Sequence, residues 1–257
     1  MLGKLLKYDL KWVYKLIGIY YGLALVFALI GRGLSFIDNS FVFVFISKFS
    51  CGVSIAMMFN IIINNIIRIW VRYIGNVYKD ESYLTHTLPV TKSEIYLSKV
   101  LTTLITMTTS IIVVLVSFAL CYFNGDFIEF VKAILPYTSW NFIVIAGIVI
   151  VLELLFLVFL GILSITIGYR SNHNKLLKSF ISGALVYLVS SGVSLLVLFI
   201  MGLFNKDIFS LFTSANTMPS IELLEFILIA SAIIYLVYII ACNVISNKLL
   251  NKGVNVD

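Results

Sequence analysis

Charge is what this sequence has least of. Of its 257 residues, 12% are Asp, Glu, Lys or Arg, about half the share that coats an ordinary water-soluble domain. Hydrophobic residues make up 61% and fall in long, nearly charge-free runs, so the surplus apolar surface has to face lipid. Proline is scarce as well, at three residues. No Pro/Gly/Ser-rich linker or low-complexity tract divides the chain, which reads as a single membrane domain over residues 1–257. Cys51, Cys121 and Cys242 each lie inside an apolar run without metal-ligand spacing, and read as small buried hydrophobes. Histidine is limited to His86 and His173, and there is no G-x-x-x-x-G-K, H-E-x-x-H or G-x-S-x-G. Each of those motifs places a phosphate cradle, a metal or a nucleophile, so the chain is not read as an enzyme and no cofactor is expected in it. An intramembrane hydrolase would need a nucleophile with a base, or paired carboxylates, at bilayer depth, and Glu153 stands by itself in that position.

A hydrocarbon core about 30 Å thick takes roughly 20 helical residues to cross. Six segments qualify: Leu16 to Phe36, Phe41 to Ile66, Lys99 to Phe123, Asn141 to Gly168, Phe180 to Phe204 and Leu223 to Asn247. The fold class expected is an all-α integral membrane protein of six transmembrane helices. Lys4, Lys7, Lys11 and Lys15 before an apolar stretch imitate a signal peptide. No small-x-small cleavage site follows Ile30, so the stretch is read as a retained first span.

The net charge of +6 is not a nucleic-acid signature, because the basic residues sit in short gaps between apolar runs instead of on one soluble face. They report orientation. With both termini in the cytoplasm, 14 Lys and Arg fall on the inner side, against Arg32, Lys48, Lys132 and Lys206 outside, as the retention of basic loops requires. Trp12, Tyr14, Trp70 and Tyr73 on the inner side and Tyr122, Tyr137 and Trp140 on the outer suit interfacial belts.

Two constellations inside the spans are candidates for a substrate path. Glu153, near the middle of the fourth span, costs about 2.5 kcal/mol or more on insertion scales. It is expected to face the bundle, either as part of a polar path or as a neutral, hydrogen-bonded group. Asn60, Asn64, Arg68, Arg72 and Asn76 recur every four residues. If the second span continues as a helix they form one slowly turning polar stripe, serving either as glue between helices or as a path through Asn60 and Asn64. Gly18 and Gly22 form one G-x-x-x-G, a pattern frequent by chance.

The longest inner connection holds the most legible punctuation. In residues 78–94, Asp80 is placed to cap a short helix on which Tyr83, Leu84, Thr87 and Leu88 share a face. Pro89 disfavours helix at Leu88, and Thr91 with Glu94 makes a capping box that starts the next helix. A mere connector has no use for exposed aromatic and apolar side chains, so this helix is read as a docking surface for another protein.

The stretch D-E-S-Y-L-T-H-T-L-P-V-T-K-S-E-I-Y-L-S-K resembles the cytoplasmic loop of ABC-2 type transporter permeases, and the layout of the whole chain is similar to theirs. That resemblance implies the membrane subunit of a bacterial ABC transporter in the cell membrane. Its partners would be a second permease subunit, membrane lipids and a dimer of separate ATPase subunits that bind the ATP and Mg. It implies a coupling helix between spans two and three that docks the ATPase through Asp80, Glu81, Tyr83, Leu84, His86, Thr87, Leu88 and Pro89. Residues 2–15 would be an interfacial amphipathic elbow, and residues 205–222 an outer re-entrant region. Similar small permeases of low-GC bacteria often export antimicrobial peptides, drugs or other amphiphiles, and the abundance of Ile, Asn and Lys suits such a source. The competing expectations are a non-transporting scaffold or sensor subunit and an intramembrane enzyme.

Overall fold

The computed structural model describes residues 1–37, 40–79, 81–123, 125–134, 139–205, 208–209 and 220–253. Every regular element among them is helical: α1 (Leu2–Leu34), α2 (Phe41–Val77), α3 (Ser82–Thr87), α4 (Lys92–Tyr122), α5 (Gly125–Ile134), α6 (Trp140–Gly168), α7 (Lys175–Phe204) and α8 (Ile221–Asn251). Six of them, all but α3 and α5, are long and apolar enough to cross a membrane, which supports a multi-pass membrane protein. At 29 to 37 residues they are about 44 to 55 Å long and overrun a hydrocarbon core of about 30 Å by two turns or more. Their outward faces are apolar to a degree water would not tolerate: Phe41, Phe45 and Phe49 stack along α2 while 84%, 60% and 62% exposed.

The contacts divide the chain into two compact units, one up to residue 131 and the other from residue 132 on. In the first unit α1, α2 and α4 pack pairwise. Toward the far end of α1 the buried positions are small, Ala24, Ala28 and Gly31, and they face Ser47 and Ser54 of α2, whose hydroxyls donate to the carbonyls of Gly31 and Ala24 at 2.7 and 2.9 Å. Small residues let two membrane helices approach until their backbones touch. The approach is closest at Gly31, where an added Cβ would lie 3.3 Å from the backbone nitrogen of Cys51. Nearer the other end the stripe widens to Val13, Ile17, Ile61, Ile69 and the fully buried Tyr73, which meets Tyr78 edge-on at 5.8 Å. Tyr73 is therefore core and not the interfacial anchor its position suggests. On α4 the buried face is rich in hydroxyls, Ser98, Thr102, Thr103, Thr106 and Ser110. The three threonines donate to carbonyls one turn back, which leaves their methyl groups for packing.

In the second unit α6 packs on both α7 and α8. Its later half, from Phe156 to Gly168, is buried on almost every side. Gly168 and Gly183 bring α6 and α7 together: a Cβ on Gly168 would overlap the backbone of Ser179, and one on Gly183 would crowd Ser164. Between these helices Asn174 takes a left-handed backbone, φ 53° and ψ 45°, which asparagine tolerates better than most residues. On the other side Phe156 meets Tyr235 and Tyr238 at 5.8 and 5.4 Å, and the Tyr238 hydroxyl donates to the Ser190 carbonyl at 2.8 Å.

Two elements add to the reading of the sequence. Residues 2–15, expected as an interfacial elbow, continue into the first span as one unbroken 33-residue helix. The segment is held along α2 and α4 by the buried Asp9 and Val13. The second is α5, which the sequence reading leaves as loop. Ten residues are too few for a span, but Phe127, Ile128, Phe130, Val131 and Ile134 give it an apolar side suited to an interface. The expected outer region 205–222 lies outside the described residues apart from Asn205, Ile208, Phe209 and residues 220–222, where Ser220 caps the start of α8 at Ile221.

Candidate functional site

The polar stripe anticipated on α2 is real as far as its helix goes: α2 runs to Val77, so Asn60, Asn64, Arg68, Arg72 and Asn76 do lie on one continuous helix. Their roles differ. Asn60 and Asn64 donate to carbonyls of their own helix, Ala56 and Asn60, each at 2.9 Å. The buried amide is that of neighbouring Asn65, which reaches Ser110 on α4 at 2.8 Å. Asn65 is thus the residue that joins helices, and the four-residue count missed it because the buried stripe at this level runs through Ile61, Asn65 and Ile69.

The lower half of the stripe enters a cluster of charges. Arg72 Nε contacts Asp9 Oδ1 at 2.9 Å and its Nη1 contacts Glu81 Oε2 at 2.7 Å. Lys99 Nζ lies 2.7 Å from both carboxylate oxygens of Asp9 and 2.8 Å from Asn76 Oδ1. The Asn76 amide in turn donates to Glu81 at 2.7 Å, and Ser98 donates to Asp9 at 2.9 Å. Asp9 and Lys99 are 2% and 6% exposed. Two carboxylates thus face two cations, with amide and hydroxyl groups filling the remaining positions. A buried pair repays its desolvation only when its other hydrogen-bonding sites are met in this way. Above it the indole of Trp12 lies under Arg68 and Arg72, with ring-to-guanidinium distances of 4.1 and 5.4 Å.

The cluster ties α1, α2 and α4 to the residue that begins α3. Glu81 occupies the N-cap position of α3, yet its side chain makes no cap bond to that helix; it is drawn to Arg72 and Asn76. His86 does the same from the other end, with Nε2 3.2 Å from the carbonyl of Val77, a bond it makes when that nitrogen carries the hydrogen. Between them Ser82 and Thr85 are buried against the body of the unit. The opposite face is bare: Tyr83, Leu84 and Leu88 are 73%, 72% and 43% exposed, and Thr87 and Pro89 are exposed beside them. The eight residues expected to dock a partner therefore sort by task. Glu81 and His86 hold the helix down, and Tyr83, Leu84, Thr87, Leu88 and Pro89 present it. Asp80 lies outside the described residues. The capping box that restarts the chain is formed, with Thr91 Oγ1 accepting from Glu94 N at 3.2 Å and Glu94 Oε2 accepting from Thr91 N at 2.9 Å.

Compared with protein-family models, with curated proteins and with solved structures, the chain matches none. Its function has to be argued from the geometry.

Glu153 lies midway along α6, on the same helical stripe as Val149 and Phe156, and its side chain is exposed on its own unit. Its neighbour is Tyr235 of α8. One turn on, the Phe156 ring packs against Tyr235 and Tyr238. Glu153→Gln keeps a group able to hydrogen-bond Tyr235, so it is expected to fold normally and to melt within about 0.5 kcal/mol of the parent. A melting temperature lower by several degrees in detergent would show instead that the charge itself bears a structural contact. Among the described residues no group of three or more His, Cys, Asp and Glu is placed to hold a metal ion.

Proposed function

We propose that this chain is the membrane-spanning permease subunit of an ABC transporter, oriented with α3 and both termini in the cytoplasm. On this reading a separate ATPase subunit docks on α3 and hydrolyses the ATP. The observation that carries the reading is the two-sided build of α3. A six-residue helix is too short to be stable by itself, and here it is pinned by Glu81 and His86 while turning a tyrosine and two leucines into solvent. An apolar patch maintained at that cost suits a partner that covers it. The ion cluster supplies the other half of the function, since a push on α3 reaches Glu81 and, through Arg72, Asp9 and Lys99, the end of α2 and the first turns of α1 and α4. Export of an antimicrobial peptide, drug or other amphiphile is the transport assigned, on the resemblance of the loop to ABC-2 type permeases.

Purification from its native membrane in mild detergent is the direct test: a nucleotide-hydrolysing subunit should be retained with the chain, and ATPase activity should follow it through the column. Its absence from material that still contains intact permease would overturn the proposal. Orientation is tested separately. In a background without the native cysteines, Ser171→Cys should resist an impermeant thiol reagent applied to intact cells and react after permeabilisation. Labelling of intact cells would reverse the topology.

A further inference from the structure

At the far end of the first unit from the ion cluster, α1, α2 and α4 enclose an open cavity of about 440 Å³. Gly31, Arg32 and Ser35 come from the end of α1, Val44, Ser47, Lys48 and Cys51 from the start of α2, and Cys121 and Tyr122 from the end of α4. Two of these nine residues are cations and none is a carboxylate. Within the wall the polar groups are mostly spent: the hydroxyls of Ser47 and Ser35 donate to the carbonyls of Gly31 and Arg32. Arg32 lies over the ring of Phe36, 5.1 Å from its centre, which steers the guanidinium without neutralising it. A position in the last turn of α1 suits Arg32 to the helix dipole. Lys48, in the second turn of α2, sits toward the positive end of its helix, where the dipole gives a cation no such support.

Depth is fixed by the helices themselves. Arg32 follows Asp9 by 23 residues on α1, Arg72 follows Lys48 by 24 on α2, and Tyr122 follows Lys99 by 23 on α4, each about 35 Å along a helix axis. The cavity and the ion cluster are therefore separated by a little more than the hydrocarbon core of about 30 Å. With the cluster at one membrane surface, Arg32 and Lys48 stand at the phosphate level of the opposite leaflet.

We infer that this cavity is a binding site for the phosphate-bearing headgroup of an anionic membrane lipid, with Arg32 and Lys48 as its cationic ligands and the lipid's acyl chains lying along the exposed apolar faces of α1, α2 and α4. The volume is within the range of small-molecule sites and suits a glycerophosphate headgroup, and the opening lies at the depth of the phosphate groups of that leaflet. Two thiols, Cys51 and Cys121, lie within reach of each other in its wall. They are native reporters of occupancy. The site does not depend on the ATPase-docking role of α3, so each assignment can fail without the other.

The test reconstitutes the full-length protein in nanodiscs of phosphatidylcholine and in nanodiscs containing phosphatidylglycerol. Alkylation of each cysteine by N-ethylmaleimide is followed by peptide mass spectrometry, with Cys242 on α8 as the internal control. Phosphatidylglycerol is expected to slow alkylation of Cys51 and Cys121 and leave Cys242 unchanged. Arg32→Gln with Lys48→Gln should reduce this protection about thirtyfold, the effect of two cations at a charged membrane surface. A third arm adds inorganic phosphate to the phosphatidylcholine discs and should give no protection. Protection by phosphate alone would overturn the lipid in favour of a free anion. Equal alkylation in both lipids, undiminished protection in the double variant, or thiols that react in no disc would each overturn the site.

Discussion

Tyr83→Ala combined with Leu84→Ala will leave the protein inserted, folded and present at normal levels, while reducing capture of the proposed ATPase subunit by about thirtyfold or more. The two halves of this expectation have separate causes. In the free chain both side chains are more than two-thirds exposed, and surface truncations away from packing usually change stability by no more than about 0.5 kcal/mol. At the centre of an interface, truncating a buried aromatic or leucine anchor costs about 2 kcal/mol or more. Lys79→Ala and Lys92→Ala, on flanking solvated positions, should cost little. The measurement is pull-down of the ATPase subunit at matched membrane levels, followed by ATP-driven transport. Normal capture with normal transport would reduce α3 to a connector.

Asp9→Ala will be among the most destabilising single substitutions in the first unit. It removes the carboxylate that Lys99 contacts through both oxygens and that Arg72 also contacts, leaving a lysine that is 6% exposed with the amide of Asn76 in place of a charge. Breaking a buried pair from one side costs about 3 to 5 kcal/mol, much of it the penalty for the abandoned charge. Lys99→Met alone should be costly for the reciprocal reason. Removing both ends should cost much less than the sum, because Arg72 retains Glu81 at 2.7 Å and no buried charge is left bare. Melting temperatures of the parent, the two single variants and Asp9→Ala with Lys99→Met complete a double-mutant cycle. A coupling near zero would show that the cluster is not the joint between α1 and α4. If α3 acts through this joint, the double variant should also bind the ATPase subunit normally yet transport poorly, which separates positioning from docking.

The residues of the cluster show why part of this site was readable in advance and part was not. Tyr83, Leu84 and Leu88 were legible as a presenting face because helical spacing and the stop at Pro89 are local properties, as is the box between Thr91 and Glu94. Glu81 was found as part of the docking helix, but the use of its side chain was not, because it bonds residues on α2 instead of capping its own helix. Asp9 gave no signal at all. A single aspartate among four lysines near the start of a chain reads as one more solvated charge, and Lys99 reads as one more basic residue on the inner side. Their pairing spans 90 positions, and no periodicity encodes a contact of that range.

By itself the sequence determined the solvent this protein folds in, the six long apolar helices, the short helix between the second and third and the side that helix leaves bare. Those follow from hydrophobic run length and from propensities acting within a turn or two of helix. The tertiary structure decided that the first helix runs unbroken from Leu2 to Leu34, and that Arg72, Asp9, Lys99 and Glu81 form one joint. It also decided that Asn65 and not Asn60 crosses between helices, and that Arg32 and Lys48 share a cavity with two thiols. Each of these depends on which faces meet when separate helices pack, and a helix face is chosen by the fit of small residues such as Ala24, Ala28 and Gly31 against a neighbour that the chain reaches only after a turn.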